Sequence, residues 1–211
     1  MMKTMWRFPL LAAAVGVAAS LYFYSSLPES MAVHFGPGGD ADGWLAKPIA
    51  AFLNPAILLL VTALIHFSSN WERDETKRER MRAANAFVGA VVAALMLGLH
   101  AFLLAFNLGL PVSASLVATA SVGFVFVAIG NMLPRMPQSS TQLPRLPEPV
   151  FAKFARAQGR VMAGAGLLML ACIFFSDPAR LYAMFFLIAV VVVSLIGGSI
   201  AAQRRSRETK G

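Results

Sequence analysis

The sequence predicts an all-α, polytopic membrane protein of six transmembrane helices, with both termini in the cytoplasm. Three observations carry that prediction. First, hydrophobic residues make up 58% of the 211 and charged residues only 13%, with a mean hydropathy of +0.68. Soluble domains carry about 25% charge. Second, six segments are apolar over close to the roughly 20 residues that a helix needs to cross a hydrocarbon core about 30 Å thick. Third, sixteen of the eighteen lysines and arginines fall in alternate connections.

The six segments are 8–26, 49–68, 84–107, 113–133, 160–176 and 181–202, the fifth being the shortest. Lipid offers no partner to a backbone amide, so each reads as a helix. Lys3, Arg7 and the Val15-Gly16-Val17-Ala18 run also fit a cleaved signal peptide. The apolar run continues through Tyr22, Phe23 and Tyr24, as a spanning helix would. Cations favour the cytoplasmic side. They cluster at Lys3 and Arg7, at 73–82, at Arg135, Arg145, Lys153, Arg156 and Arg160, and at 204–210. The opposite side holds only Lys47 and Arg180. Trp6 and Trp71 then mark the inner interface, and Tyr22, Tyr24, Trp44 and Tyr182 the outer one. The expected organisation is a two-helix membrane unit over 1–70 with an extracellular loop at 27–48, a four-helix membrane domain over 84–202, and a basic cytoplasmic tail at 203–211.

The net charge of +8 is thus accounted for by topology and by contact with anionic lipid, not by nucleic acid. Small residues recur every fourth position at Ala12, Gly16 and Ser20, at Ala86, Ala90, Ala94 and Gly98, and at Ser194, Gly198 and Ala202. Such stripes let helix backbones approach closely within a monomer or between copies, and the oligomeric state stays open.

No Asp, Glu, Lys or Arg lies in the middle of a span, which argues against a pump or a charge-coupled transporter. His100 is the titratable group well inside a span and reads as a buried hydrogen-bonding residue. H-E-x-x-H and G-x-S-x-G motifs are absent, and the lone Cys172 lies in an apolar run, so neither an enzyme nor a cofactor is expected. A small transporter for an uncharged or hydrophobic solute, with a polar cavity around His100 and Asn54, is the alternative from another class.

Two connections are distinctive. Residues 27–48 read LPESMAVHFGPGGDADGWLAKP, with turns forced by Gly36-Pro37-Gly38-Gly39. Asp40 and Asp42 open like a calcium loop, but the twelfth position is Ala51, so calcium is not expected. Zinc on His34, Asp40 and Asp42 has only generic spacing, and no metal is assigned. The expected role is an ordered cap whose His34, Phe35, Asp40, Asp42, Trp44 and Lys47 are the candidate contacts for an external partner, with Phe35 and Trp44 at the membrane surface. In the 134–159 connection, prolines at 134, 137, 144, 147 and 149 favour extended chain. VFAKFARAQGR, 150–160, then reads as a short basic amphipathic helix at the interface. WERDETKRERMR, 71–82, alternates in charge like a solvated helix extension.

SLPESMAVHFGPGGDADGWLAKP resembles the extracellular signature of the small domain of unknown function at the N-terminus of SdpI-type membrane proteins. The residues that carry the likeness are Leu27-Pro28, His34-Phe35, Gly39, Asp42-Gly43-Trp44 and Lys47. IGNMLPR is similar to the helix-ending motif of the SdpI domain, through Gly130, Asn131, Pro134 and Arg135. VFAKFAR, with Lys153 and Arg156, looks like a reduced form of a third block. Phe151 stands there for tryptophan, Phe154 and Ala155 for threonine and histidine, and Gln142 to Leu146 for the preceding piece. The resemblance implies a bacterial inner-membrane immunity and signalling protein. Its partners would be a secreted peptide toxin outside and a transcriptional repressor inside.

Overall fold

A computed structural model describes residues 2–36, 38–138 and 146–208. Arg145, Lys210, Pro37 and the 142–145 part of the third resemblance block lie outside the described residues. Six α-helices run as α1 (Met2–Phe23), α2 (Lys47–Ser68), α3 (Glu75–Asn107), α4 (Ala114–Met132), α5 (Glu148–Ala171) and α6 (Asp177–Glu208). Each is long and apolar enough to cross a bilayer. Between α1 and α2 stands an antiparallel ribbon of β1 (Ser30–Phe35) and β2 (Ala41–Ala46). The expected loop is therefore a β-hairpin. Exposure alternates along all of β2 and from Val33 to Phe35 in β1, while Met31 and Ala32 are both buried.

Two helices begin earlier than their apolar stretches. Asp74 caps α3 by accepting the Lys77 N–H at 3.1 Å, which carries the helix out through the charged run 75–82. α5 starts at Glu148, with Pro149 in its first turn, where a missing N–H costs nothing. The amphipathic stretch 150–160 and the fifth span are thus one helix, and not a lead-in followed by a span. α6 likewise continues through 203–208 as helix.

The chain divides into two compact units. One comprises 1–67 and 85–118, the other 68–84 and 119–211. In the first, Leu27, Met31, Ala50, Ala51 and Leu104 form a buried cluster that seats the hairpin on α2 and α3. A second cluster of Ala12, Ala13, Leu58 and Ala93 joins α1, α2 and α3. The stripe Ala12, Gly16 and Ser20 is fully buried here. On α3 the buried face runs through Gly89, Ala93, His100 and Leu104 instead of the expected 86–98 stripe, and Gly98 is exposed. In the second unit, α4 and α5 touch backbone to backbone. A Cβ added at Gly159 would stand 2.5 Å from the Gly130 carbonyl oxygen, and one at Gly166 would stand 2.6 Å from that of Gly123. The stripe on α6 faces α5: Ser194 Oγ donates to Gln158 Oε1 at 3.1 Å, and Gly198 abuts the Phe154 ring.

Candidate functional site

The hairpin collects the residues that the sequence singled out. Along β1, Met31, Val33 and Phe35 turn inward, and His34 turns outward. Along β2, Asp42 and Trp44 share the outward face, while Gly43 and Leu45 turn in. The ladder pairs Ala32 with Trp44, His34 with Gly43, and Phe35 with Ala41, and shifts register on either side of His34. These bulges bring His34 and Asp42 together. The His34 Nδ1–H donates to Asp42 Oδ1 at 2.5 Å, and the pair is open to solvent, with side-chain exposures of 74% and 50%. Two glycines make room for the pair. A Cβ at Gly43 would lie 2.8 Å from His34 Cβ, and one at Gly36 would lie 2.9 Å from Asp42 Oδ2. Gly39 adopts φ +86° at the turn, a conformation favourable to glycine, and its N–H donates to the Gly36 carbonyl at 2.9 Å.

The two aromatic candidates have different fates. Phe35 is half-buried against Phe102 and Phe106 of α3, with ring centroids 5.1 and 4.7 Å away. It anchors the hairpin. Trp44 is 55% exposed and is the large apolar side chain of the outward face. Lys47 is buried at the base of the ribbon, where its Nζ meets Glu29 Oε1 at 2.7 Å and lies 5.3 Å from the Tyr24 ring centre. It braces the hairpin and is withdrawn from any visiting molecule. Asp40 is exposed at the turn. Among the described residues, no group of three or more His, Cys, Asp and Glu side chains is placed to hold a metal ion.

Asn107, at the last turn of α3, is the residue whose importance sequence reasoning missed. Its Oδ1 accepts the Ala32 N–H at 2.7 Å, and its Nδ2 donates to the Ala32 carbonyl at 3.0 Å and to that of Leu103 at 2.8 Å. The only sequence signal is an asparagine at the end of an apolar helix, which names no partner.

His100 lies within the same unit, deep among α1, α2 and α3. Its Nε2 stands 3.0 Å from the Gly16 carbonyl and 3.0 Å from Ser20 Oγ. A carbonyl only accepts, so Nε2 carries the proton. Ser20 Oγ in turn donates to the Ala51 carbonyl at 2.5 Å. Gly16 leaves space for the ring and for Pro55, since a Cβ there would come within 3.4 Å of His100 Cδ2 and 3.1 Å of Pro55 Cγ. The node is a packed junction of three helices.

The candidates at the end of α4 and the start of α5 are dispersed. Arg135 Nη1 donates to the Asn131 carbonyl at 3.1 Å and closes the end of α4, and Pro134 packs where Gly159 leaves space. Lys153 and Arg156 are exposed on the first turns of α5.

These features define a multi-pass, helical membrane protein that carries a braced β-hairpin between its first two spans. Residues 11–59, which hold the whole hairpin, match the family described as Domain of unknown function (DUF1648). That domain is found in membrane proteins. An uncharacterized protein of Archaeoglobus fulgidus is 37% identical over 68 residues, which cover 29% of this chain and 37% of the relative. No solved structure matches the chain.

Proposed function

We propose that the chain is a non-enzymatic protein of a bacterial plasma membrane that confers immunity to, or senses, a secreted antimicrobial peptide. The observation that carries this reading is the outward face of the hairpin. An exposed tryptophan stands on the same face as a solvent-open histidine–aspartate pair, on a ribbon held by Asn107, Phe35 and Lys47. Tryptophan partitions to the headgroup layer, where a membrane-active amphipathic peptide also resides. A rigid platform there meets the peptide without first having to be ordered. The sequence resemblance to SdpI-type immunity proteins points the same way. Binding would favour one arrangement of the bundle through differential affinity. The cytoplasmic ends that carry Arg135, Lys153 and Arg156 would then present that arrangement to a repressor.

The test is a killing assay with secreted peptides on cells that lack the gene, complemented by the wild type or by Trp44→Ala. Deletion should sensitise the cells, and Trp44→Ala should restore less protection at equal protein level. Full protection by Trp44→Ala at equal level removes the hairpin face from the function, and an insensitive deletion strain removes immunity altogether.

A further inference from the structure

α5 and α6 pack closely at Ser194–Gln158 and again at Gly198–Phe154. Between them lies a cleft of about 510 Å³. Its floor and walls are Val150, Phe154 and Ala157 from one helix and Gly198 and Ala201 from the other, and Lys153 and Arg205 stand in its lining. The volume falls in the range of roughly 300–1,000 Å³ typical of small-molecule sites. The walls are apolar, and the surroundings are cationic. Arg156 on α5 and Arg204 and Arg207 on α6 are exposed nearby in sequence, and the acids on these two helix ends are Glu148 on the first turn of α5 and Glu208 at the end of α6. Apolar walls with cations at the end of a span suit a molecule that is hydrocarbon at one end and anionic at the other.

We propose that this cleft is a binding site for an anionic phospholipid. An acyl chain lies between α5 and α6, and the headgroup phosphate sits against Lys153 and Arg205. Lys153 lies near the start of α5 and Arg205 near the end of α6, the ends that the cation bias assigns to a membrane–water interface, where a phosphodiester would lie. The cations at the last turn of α6 also complement the negative end of its dipole, which leaves that end receptive to an anion only through these side chains. The site depends on the chain spanning a bilayer; it shares Lys153 with the repressor-facing ends proposed above, and its test reads lipid binding alone.

The test is native mass spectrometry of the full chain, delipidated in detergent and titrated with phosphatidylglycerol or phosphatidylcholine of the same acyl composition. One phosphatidylglycerol should bind per chain in preference to phosphatidylcholine, and Lys153→Gln and Arg205→Gln should each lower that preference about fivefold. Arg160→Gln, which removes a charge farther along α5, should leave it unchanged. Ala157→Trp or Ala201→Trp, at exposed positions where folding is undisturbed, should reduce binding of both lipids by filling the cleft. Equal affinity for the two lipids overturns the proposal, as does an equal loss in Arg160→Gln. A dimer that dissociates in Ala201→Trp while lipid binding persists would show that a second copy occupies the cleft, and would also overturn it.

Discussion

At Asn107 a carboxamide stands in for a neighbouring strand, because it satisfies both the N–H and the carbonyl of Ala32. A two-stranded ribbon is marginal by itself in water. This contact and the Phe35 anchor are what give it a fixed place on α3. Asn107→Leu keeps the branching pattern of heavy atoms but leaves both Ala32 groups without their partner, at a cost of about 1–3 kcal/mol. Hydrogen exchange should show faster exchange at Ala32 and its strand neighbours, with α1 and α2 unaltered; unchanged protection of the ribbon would refute the bracing role. The two aromatic side chains should separate in the same way. Phe35→Ala removes two ring contacts and should lower stability by about 1–2 kcal/mol, whereas Trp44→Ala should change it by less than about 0.5 kcal/mol. Thermal unfolding in detergent measures both, and similar losses in the two variants would contradict the division between anchor and contact. The cations of the expected outer connections share a trait. Lys47 is buried against Glu29, and Arg180 is buried against Asp177 while donating to the Ile173 and Phe175 carbonyls. Both hold structure.

The helical elements were legible in the sequence because hydrocarbon thickness and backbone satisfaction leave few alternatives, and all six spans lie where apolar runs placed them. Their ends were less so. The starts of α3 and α5 depend on Asp74 as a cap and on proline being harmless in a first turn, which apolar length does not register. The hairpin was hidden by its own turn chemistry: Gly36 to Gly39 reads as irregular chain, and the strands on either side are only six residues long. Of the candidate site, the outward set His34, Asp42 and Trp44 was legible as residues. That Phe35 and Lys47 turn inward was not, since it depends on contacts with α3 and Glu29. The α4–α5 contact offers a test at this scale. Gly159→Ala or Gly166→Ala pushes a methyl into the facing backbone and should cost about 1–3 kcal/mol. Gly164→Ala lies on the same helix with nothing within 4 Å of the added carbon, and should be neutral or slightly stabilising. Equal melting temperatures for all three would show that α4 and α5 are not in backbone contact.

For the whole molecule, the decisive property is which side of the membrane the hairpin occupies. Sixteen cations against two is a strong bias, and with six spans it predicts an orientation with 27–48 and the α5–α6 connection outside and both termini inside. Single-cysteine labelling tests the orientation. In a Cys172→Ser background, Ala46→Cys on the ribbon and Ala179→Cys after α5 are both exposed positions. A membrane-impermeant maleimide should label them in intact cells. Thr76→Cys, exposed at the start of α3, should react only after permeabilisation. The reverse pattern would turn the hairpin toward the cytoplasm, where no secreted peptide could reach Trp44. Labelling of Ala46→Cys and Thr76→Cys from the same side would mean that α2 does not cross at all.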